Sequence, residues 1–438
     1  MIDSKRKKVA VACQGGGMHA AFAVGVLKAI LKRIGDKSEP GFELVGLSGT
    51  SAGALCALIT WYGLAPKKES QNSGTAQEAI KKLEAFWEDF VARTGAETLL
   101  NLFAFGAFRA EEIEVPMLGL SARAFGINPY RAGYKALAAC LPGLGVRRQY
   151  FDLNELLAET CPALKNDSID WRKVKVRLLI GASEVVNGLE TVFDSDVNKG
   201  HKPENKGMQP VKIRRDKARY WRQQLPLSLE GVAASGTLPI LREAQRIGRG
   251  RYWDGLYSQN PPVREFIEDP EQKDFPDELW IVRINPQQWP YPPESNKDIE
   301  DRQNELMGNL SLNKELDFIM KVNEWQEKYS DFGRKHKPVI VRTIMMEQET
   351  ADELSYSSKF DRSRDRMVEL CDHGLEVATR WLDDWRNGNV GEYPEDAAYR
   401  KLRISDDTRE DEVTKGSRIR NRRASPVRSR HHRRRGLK

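Results

Sequence analysis

Residues 45–58 read VGLSGTSAGALCAL, a hydrophobic run that enters Gly49-Thr50-Ser51-Ala52-Gly53 and leaves through small, apolar residues of helical character. No other stretch restricts the fold so strongly. Glycine two positions away on either side of a serine suits a very tight strand-to-helix turn, where neighbours with side chains would collide and the central residue takes a strained backbone. G-x-S-x-G in that setting is a nucleophile elbow, which lifts a hydroxyl clear of a sheet at a helix N-terminus, where the dipole favours developing negative charge. Three fixed positions match by chance roughly 0.1–0.2 times in a chain of this length at average residue usage. The flanking strand and helix therefore carry the assignment of Ser51 as candidate nucleophile, with Gly49 and Gly53 as its elbow.

The same order of elements occurs earlier. KVAVAC (8–13) predicts a strand, Gly15-Gly16-Gly17 a turn and residues 19–34 a helix, and FELVGLS (42–48) predicts the strand that meets the elbow. Strand, glycine turn and helix in succession predict an α/β fold, a three-layer α/β/α arrangement around a mainly parallel central sheet. Residues 78–94 have the 3–4 spacing of an amphipathic helix. Residues 174–195 read as a strand and a hairpin turning near Asn187-Gly188. Further strands are expected at 278–286 and 337–346, one or two helices over 298–329, and a late helix over 363–385.

Charge divides the chain. The net charge is +7, but residues 415–438 hold 11 Lys and Arg and no acid, which leaves −4 on residues 1–414. The expected organisation is a catalytic domain over 1–388, a charged linker over 389–414 and a basic, disordered tail over 415–438. That tail suits anionic lipid headgroups, at ~1 kcal/mol per basic residue near such a surface, so peripheral membrane contact is an expected interaction. It suits nucleic-acid phosphates non-specifically as well, but it lacks the aromatics for base stacking, and nucleic acid is not the expected partner. No run approaches the ~20 apolar residues of a membrane span. The N-terminus, MIDSKRKK followed by VAVACQGGG, is too short in apolar residues for a signal peptide, so a cytoplasmic protein is expected. The aromatic stretch 97–120 reads as the lining of an acyl-chain channel, as a segment that dips into a membrane surface, or as helical core. Five scattered cysteines form no CxxC pair and the six histidines lack metal spacing, so neither a metal nor a cofactor is expected.

An acyl-transfer serine needs oxyanion donors and a base. Successive glycines after a strand can turn their N–H groups to one side, and Gly15, Gly16 and Gly17 are placed to do so. His336, in the basic GRKHKP, and His373, inside a helical pattern, are the two histidines available to a conventional triad. Asp254, in RYWDGLYSQNPP, is the better candidate: an Asp-Gly after a short aromatic strand places a carboxylate on a loop beside the sheet, and Gly255 completes the motif. A carboxylate serves as general base once partial burial raises its pKa.

Gly15-Gly16-Gly17, Gly49-Thr50-Ser51-Ala52-Gly53 and Asp254-Gly255, in this order and at about these separations, resemble the patatin-like phospholipase family. AASGTLPI (233–240) and the NPP after the aspartate add to the likeness, which covers residues 8–265 and extends to about 385. The resemblance implies a patatin-like fold and a Ser51–Asp254 dyad without histidine that hydrolyses acyl esters of phospholipids or related lipids. It further implies an oxyanion hole of the Gly16 and Gly17 amides, with Gly15 completing the turn. The family usually follows its glycines with a variable residue, Arg or Lys, and glycine; here stand Met18, His19 and Ala20. Leu256 replaces a commoner small residue after Asp254-Gly255. Two other kinds of function fit the residues: an acyltransferase, thioesterase or α/β-hydrolase-type enzyme with a histidine base, and a catalytically silent scaffold that binds membranes or nucleic acid.

Overall fold

Strand β1 (Lys7–Cys13) is buried from Val9 onward on both faces, as a strand covered by helices on each side must be. Its alternate residues serve two cores. Val9, Val11 and Cys13 pack into one apolar cluster, Ala10 and Ala12 into another. Strand β8 (Glu278–Arg283) repeats the pattern, with Trp280 and Val282 on the first side and Leu279 and Ile281 on the second. Two cores separated by one sheet are the three-layer arrangement expected from the sequence.

The computed structural model describes residues 6–36, 41–68, 74–102, 145–200, 221–239, 242–268, 275–289, 292–329 and 337–393. Among the described residues nine strands form one sheet: β1, β2 (Phe42–Thr50), β3 (Arg177–Glu184), β4 (Leu189–Asp194), β5 (Arg222–Pro226), β6 (Gln245–Ile247), β7 (Gly250–Asp254), β8 (Glu278–Arg283) and β9 (Ile340–Met345). Their main order is β5-β4-β3-β2-β1-β8-β9, with the β6–β7 hairpin attached to β3. The run β3-β2-β1-β8-β9 is parallel; β4 is antiparallel to β3, and β5 is parallel to β4.

On the first face lie α1 (Ala21–Gly35), α2 (Ala52–Leu64), α3 (Ala76–Phe90), α4 (Leu153–Thr160), α5 (Leu229–Ser235) and α7 (Arg364–Arg386); α6 (Asn296–Lys328) packs Leu312, Leu316 and Ile319 on the second. α2 is buried from Ala52 through Gly63, and its apolar residues run all round the helix, as an interior helix requires. α3 shows the opposite pattern, a buried stripe of Ala79, Leu83, Phe86 and Trp87.

Several elements differ from the sequence expectation. The expected helix over 298–329 is one helix, Asn296–Lys328, and residues 17–20 form a 3-10 turn ahead of α1 where the helix was expected from 19. β5, sequence RQQLP, is a half-buried strand whose polar residues gave no strand signal. The fold also continues past residue 388: the Tyr393 N–H donates to the Val341 carbonyl at 2.8 Å and its side chain is buried on the second core. The rest of the linker from residue 394, the basic tail 415–438, residues 103–120 of the aromatic stretch and His336 lie outside the described residues.

Candidate active site

β3 offers one edge to two strands in succession. Its residues Arg177–Gly181 pair with β2, ending with Thr50 opposite Gly181. The same edge then pairs antiparallel with β7, Ala182 standing opposite Asp254. The two strands arrive from opposite directions and stop at adjacent residues of β3. Ser51 follows Thr50, so the register delivers it beside Asp254, a residue more than 200 positions away in sequence. Asp254 is thus the last residue of a strand within the sheet, not part of a loop beside it. The hydrogen-bond ladder holds its backbone more firmly than a turn would.

Ser51 has φ 56° and ψ −129°, in the left-handed half of the map where a residue with a side chain is strained. Backbone bonds on both sides keep it there. Its N–H donates to Ser235 Oγ at 2.9 Å, and that hydroxyl donates to the Gly181 carbonyl at 2.6 Å. Its carbonyl accepts from the Ala54 and Leu55 N–H groups at 2.9 and 3.3 Å, opening α2. Thr50 Oγ1 donates to the Gln259 carbonyl at 2.6 Å. The flanking glycines make room for the bend: a Cβ on Gly49 would strike the Gly53 carbonyl, and one on Gly53 would lie 2.6 Å from the Gln14 carbonyl.

The glycine loop meets the elbow because Cys13, at the end of β1, pairs with Gly49. A Cβ on Gly15 would sit 2.5 Å from the Thr50 carbonyl and 2.8 Å from Ser51 Cβ. The Gly15 N–H is already committed, donating to Asn260 Oδ1 at 2.6 Å, while its carbonyl accepts from Asn285 Nδ2 at 3.3 Å. The N–H groups of Gly16 and Gly17 have no acceptor among the described residues. Gly17 has φ 57° and abuts the backbone of Lys359, so both conformation and space exclude a side chain there.

Asp254 is 1% exposed. Its Oδ1 accepts the Leu256 N–H at 2.9 Å, while Oδ2 has no partner of ordinary hydrogen-bond geometry. Burial raises the carboxyl from 3.8 to about 7, opposed by the Leu256 N–H and by the Ser51 hydroxyl. Gly255 has no room for a side chain, since a Cβ would lie 2.5 Å from the Gly181 carbonyl.

Ser51, Asp254 and the three glycines share the wall of a cavity of about 310 Å³, at the small end of the range for ligand sites. Most of that wall is apolar, including Met18, Leu55, Phe90, Leu238 and Phe360. Leu256, bulkier than the small residue commoner at this position, is also part of it. His373 is elsewhere: its Nε2 accepts the Glu347 N–H at 3.4 Å and its ring packs against Phe22. His19 is buried with Nε2 2.7 Å from Ser358 Oγ, and burial, then the Lys359 charge, hold its imidazole well below the usual range. Sequence reasoning missed Ser235, Asn260, Asn285 and Lys359, which position the elbow, the loop and the cavity wall. Among the described residues no helix is long and apolar enough to cross a membrane, and no cluster of three His, Cys, Asp or Glu could hold a metal ion.

A family model described as patatin-like phospholipase matches residues 11–267, more than half of the 438-residue chain. No curated protein matches the sequence. Among solved structures, VipD from Legionella pneumophila is similar at 14% identity and a TM-score of 0.36, over 87% of this chain and 67% of that one. The type III effector ExoU is similar at 14% identity and a TM-score of 0.27, over 86% of this chain and 53% of its own. ExoU in its heterodimeric complex with SpcU, from Pseudomonas aeruginosa, gives 15%, 0.30, 89% and 54%. The chain therefore spans little more than half of the ExoU length.

Proposed function

The chain belongs to the patatin-like phospholipase family, and from that premise we propose that it is a serine lipid acyl hydrolase working through a Ser51–Asp254 dyad. The meeting of these two side chains on one edge of β3 is the observation that carries the reading. Ser51 Oγ attacks the ester carbonyl carbon as Asp254 Oδ2 takes its proton. The oxyanion forms against the uncommitted N–H groups of Gly16 and Gly17 at the N-terminus of α2. Collapse expels the alcohol, which receives the proton from Asp254, and leaves an acyl-Ser51 ester. A water deprotonated by the same carboxylate then releases the fatty acid. The apolar cavity wall accommodates the acyl chain, and the basic run 415–438 brings the catalytic domain to an anionic lipid surface.

A general base must be ionised to accept a proton, so a carboxyl raised to about 7 fixes the direction of the pH dependence. The kcat/KM for a short-chain chromogenic ester should rise through about pH 7 and level off above it. A profile measured from about pH 5 to about pH 9 that is flat throughout would mean that Asp254 does not set the rate.

A histidine base is the alternative chemistry, and none of the described cavity wall is histidine. The double variant His336→Gln, His373→Gln should retain ester hydrolysis within about threefold, the scale of a substitution that leaves the chemistry untouched. Loss of activity in the folded double variant would restore a triad.

A further inference from the structure

Two cations line the cavity, and they are held very differently. Arg362 is locked: its guanidinium donates to the carbonyls of Phe90 and Tyr150 and lies 4.1 and 3.9 Å from the centres of their rings. Lys359 donates to two neutral amides, Asn285 Oδ1 at 3.2 Å and Asn304 Oδ1, and forms no ion pair among the described residues. Glu305 and Asp301 favour its charge from beyond ion-pair distance, and both carboxylates are bonded to other groups. Asp301 accepts the Tyr356 N–H at 2.5 Å, and Glu305 accepts from Trp289 and Arg302. Asp254 is the one carboxylate among the described wall residues.

Withdrawing an ammonium from water with no carboxylate bonded to it is costly, and an anion that enters with the ligand adds to the partial compensation from Glu305 and Asp301. The position is set by the site itself. Asn285 joins Lys359 to the glycine loop, accepting from the ammonium while donating to the Gly15 carbonyl. The Lys359 backbone packs against Gly17. Burial lowers the ammonium to about 8, so it is still charged at neutral pH.

We propose that Lys359 is the specificity residue that binds the phosphate of a phospholipid headgroup while the scissile acyl ester lies at Ser51, so that phosphate-bearing esters are preferred over neutral acylglycerols. This rests on the acyl-hydrolase reading above and adds a residue to it. Lys359 takes no proton and forms no covalent bond; its ammonium N–H donates to a phosphate oxygen, a charge-assisted bond stronger than a neutral one.

The test compares kcat/KM for dihexanoyl phosphatidylglycerol with kcat/KM for dihexanoylglycerol, which presents the same ester without phosphate. In Lys359→Met the ratio of the two should fall roughly tenfold to a hundredfold, the range for a hydrogen bond to a charged group. Asn304→Asp should lower the ratio as well, because a carboxylate against the ammonium competes with the phosphate; this near-isosteric change carries the test if Lys359→Met does not fold. Equal loss on both substrates would assign the ammonium to the transition state or the fold and overturn the proposal. So would a ratio that does not move. Inorganic phosphate at millimolar concentration that inhibits neutral-ester hydrolysis in the native protein but not in Lys359→Met, with no change of ratio, would mark a free-anion site and overturn it too. A native protein that hydrolyses neither substrate, or does so equally well as Ser51→Ala, overturns the acyl-hydrolase reading and this one with it.

Discussion

Ser51→Ala is expected to lower kcat for ester hydrolysis by roughly 10⁴- to 10⁶-fold, the scale seen when a nucleophile that acts as a unit with its base is removed. What survives should be the contribution of binding and of the amide donors alone. The protein should remain folded, because the bonds that hold the bend belong to the Ser51 backbone: its N–H on Ser235 and its carbonyl at the head of α2. Alanine at the same φ carries the same strain as serine. A fluorophosphonate probe should label the native protein and leave the variant unlabelled, with matching circular dichroism. Undiminished turnover by folded Ser51→Ala would remove this serine from the chemistry.

Asp254→Asn should produce two effects of opposite sign. Turnover should fall roughly 10²- to 10⁴-fold, the contribution of a positioned general base. Stability should rise, but only in part of the pH range. The folded-state carboxyl, at about 7, lies above its ordinary 3.8, so folding favours the protonated form. That favourable contribution is complete below the unfolded pKa and is lost as pH rises through about 7. Asparagine is neutral throughout. The variant and the native protein should therefore melt at similar temperatures near pH 4, and the variant should melt higher above pH 7. The difference has a ceiling of about 4 kcal/mol, three pKa units at 1.36 kcal/mol each, reduced by any water that reaches the cavity. Thermal unfolding at the two pH values measures it. A variant less stable than the native protein at high pH would mean that the buried charge is compensated in a way the geometry does not provide.

Such opposition between activity and stability is characteristic of strained or desolvated active sites. Here both costs are local. One is the left-handed backbone of Ser51, and the other is a carboxylate oxygen, Asp254 Oδ2, left without a conventional partner.

The parts of the site that were legible in the sequence are those written in short-range grammar. Gly49 and Gly53 announce the bend because tight turns leave room for little else, and the apolar strand before it and helix after it set the orientation. The alternation of strand and helix gave the layered fold, and the matched family model covers the same motifs. Asp254 was legible only as a candidate. A carboxylate after a short aromatic strand is common, and nothing in its neighbourhood says that β7 shares an edge of β3 with β2. Ser235 and Asn260 were illegible for a stricter reason. Ser235 acts through hydrogen bonds to Ser51 and Gly181, and Asn260 through one to Gly15, segments 184, 54 and 245 positions away, and a single polar residue among small ones has no periodicity to betray it. Gly15 was assigned with the oxyanion donors by its place in a glycine run, yet its amide is spent on Asn260. Lys359 sits in SYSSKFDRS, which reads as a hydrophilic connector; only its position against Gly17 gives it meaning.

Three residue pairs, Ala182–Asp254, Ser183–Trp253 and Glu184–Tyr252, seat β7 on β3. During synthesis, a ribosome finishes the reactive serine and its glycine loop long before it reaches position 254. Under the proposed dyad, a nascent chain carries the hydroxyl without its base until that late segment docks. Timing of the proposed activity is thereby tied to the docking of β7 on β3 rather than to synthesis of the serine.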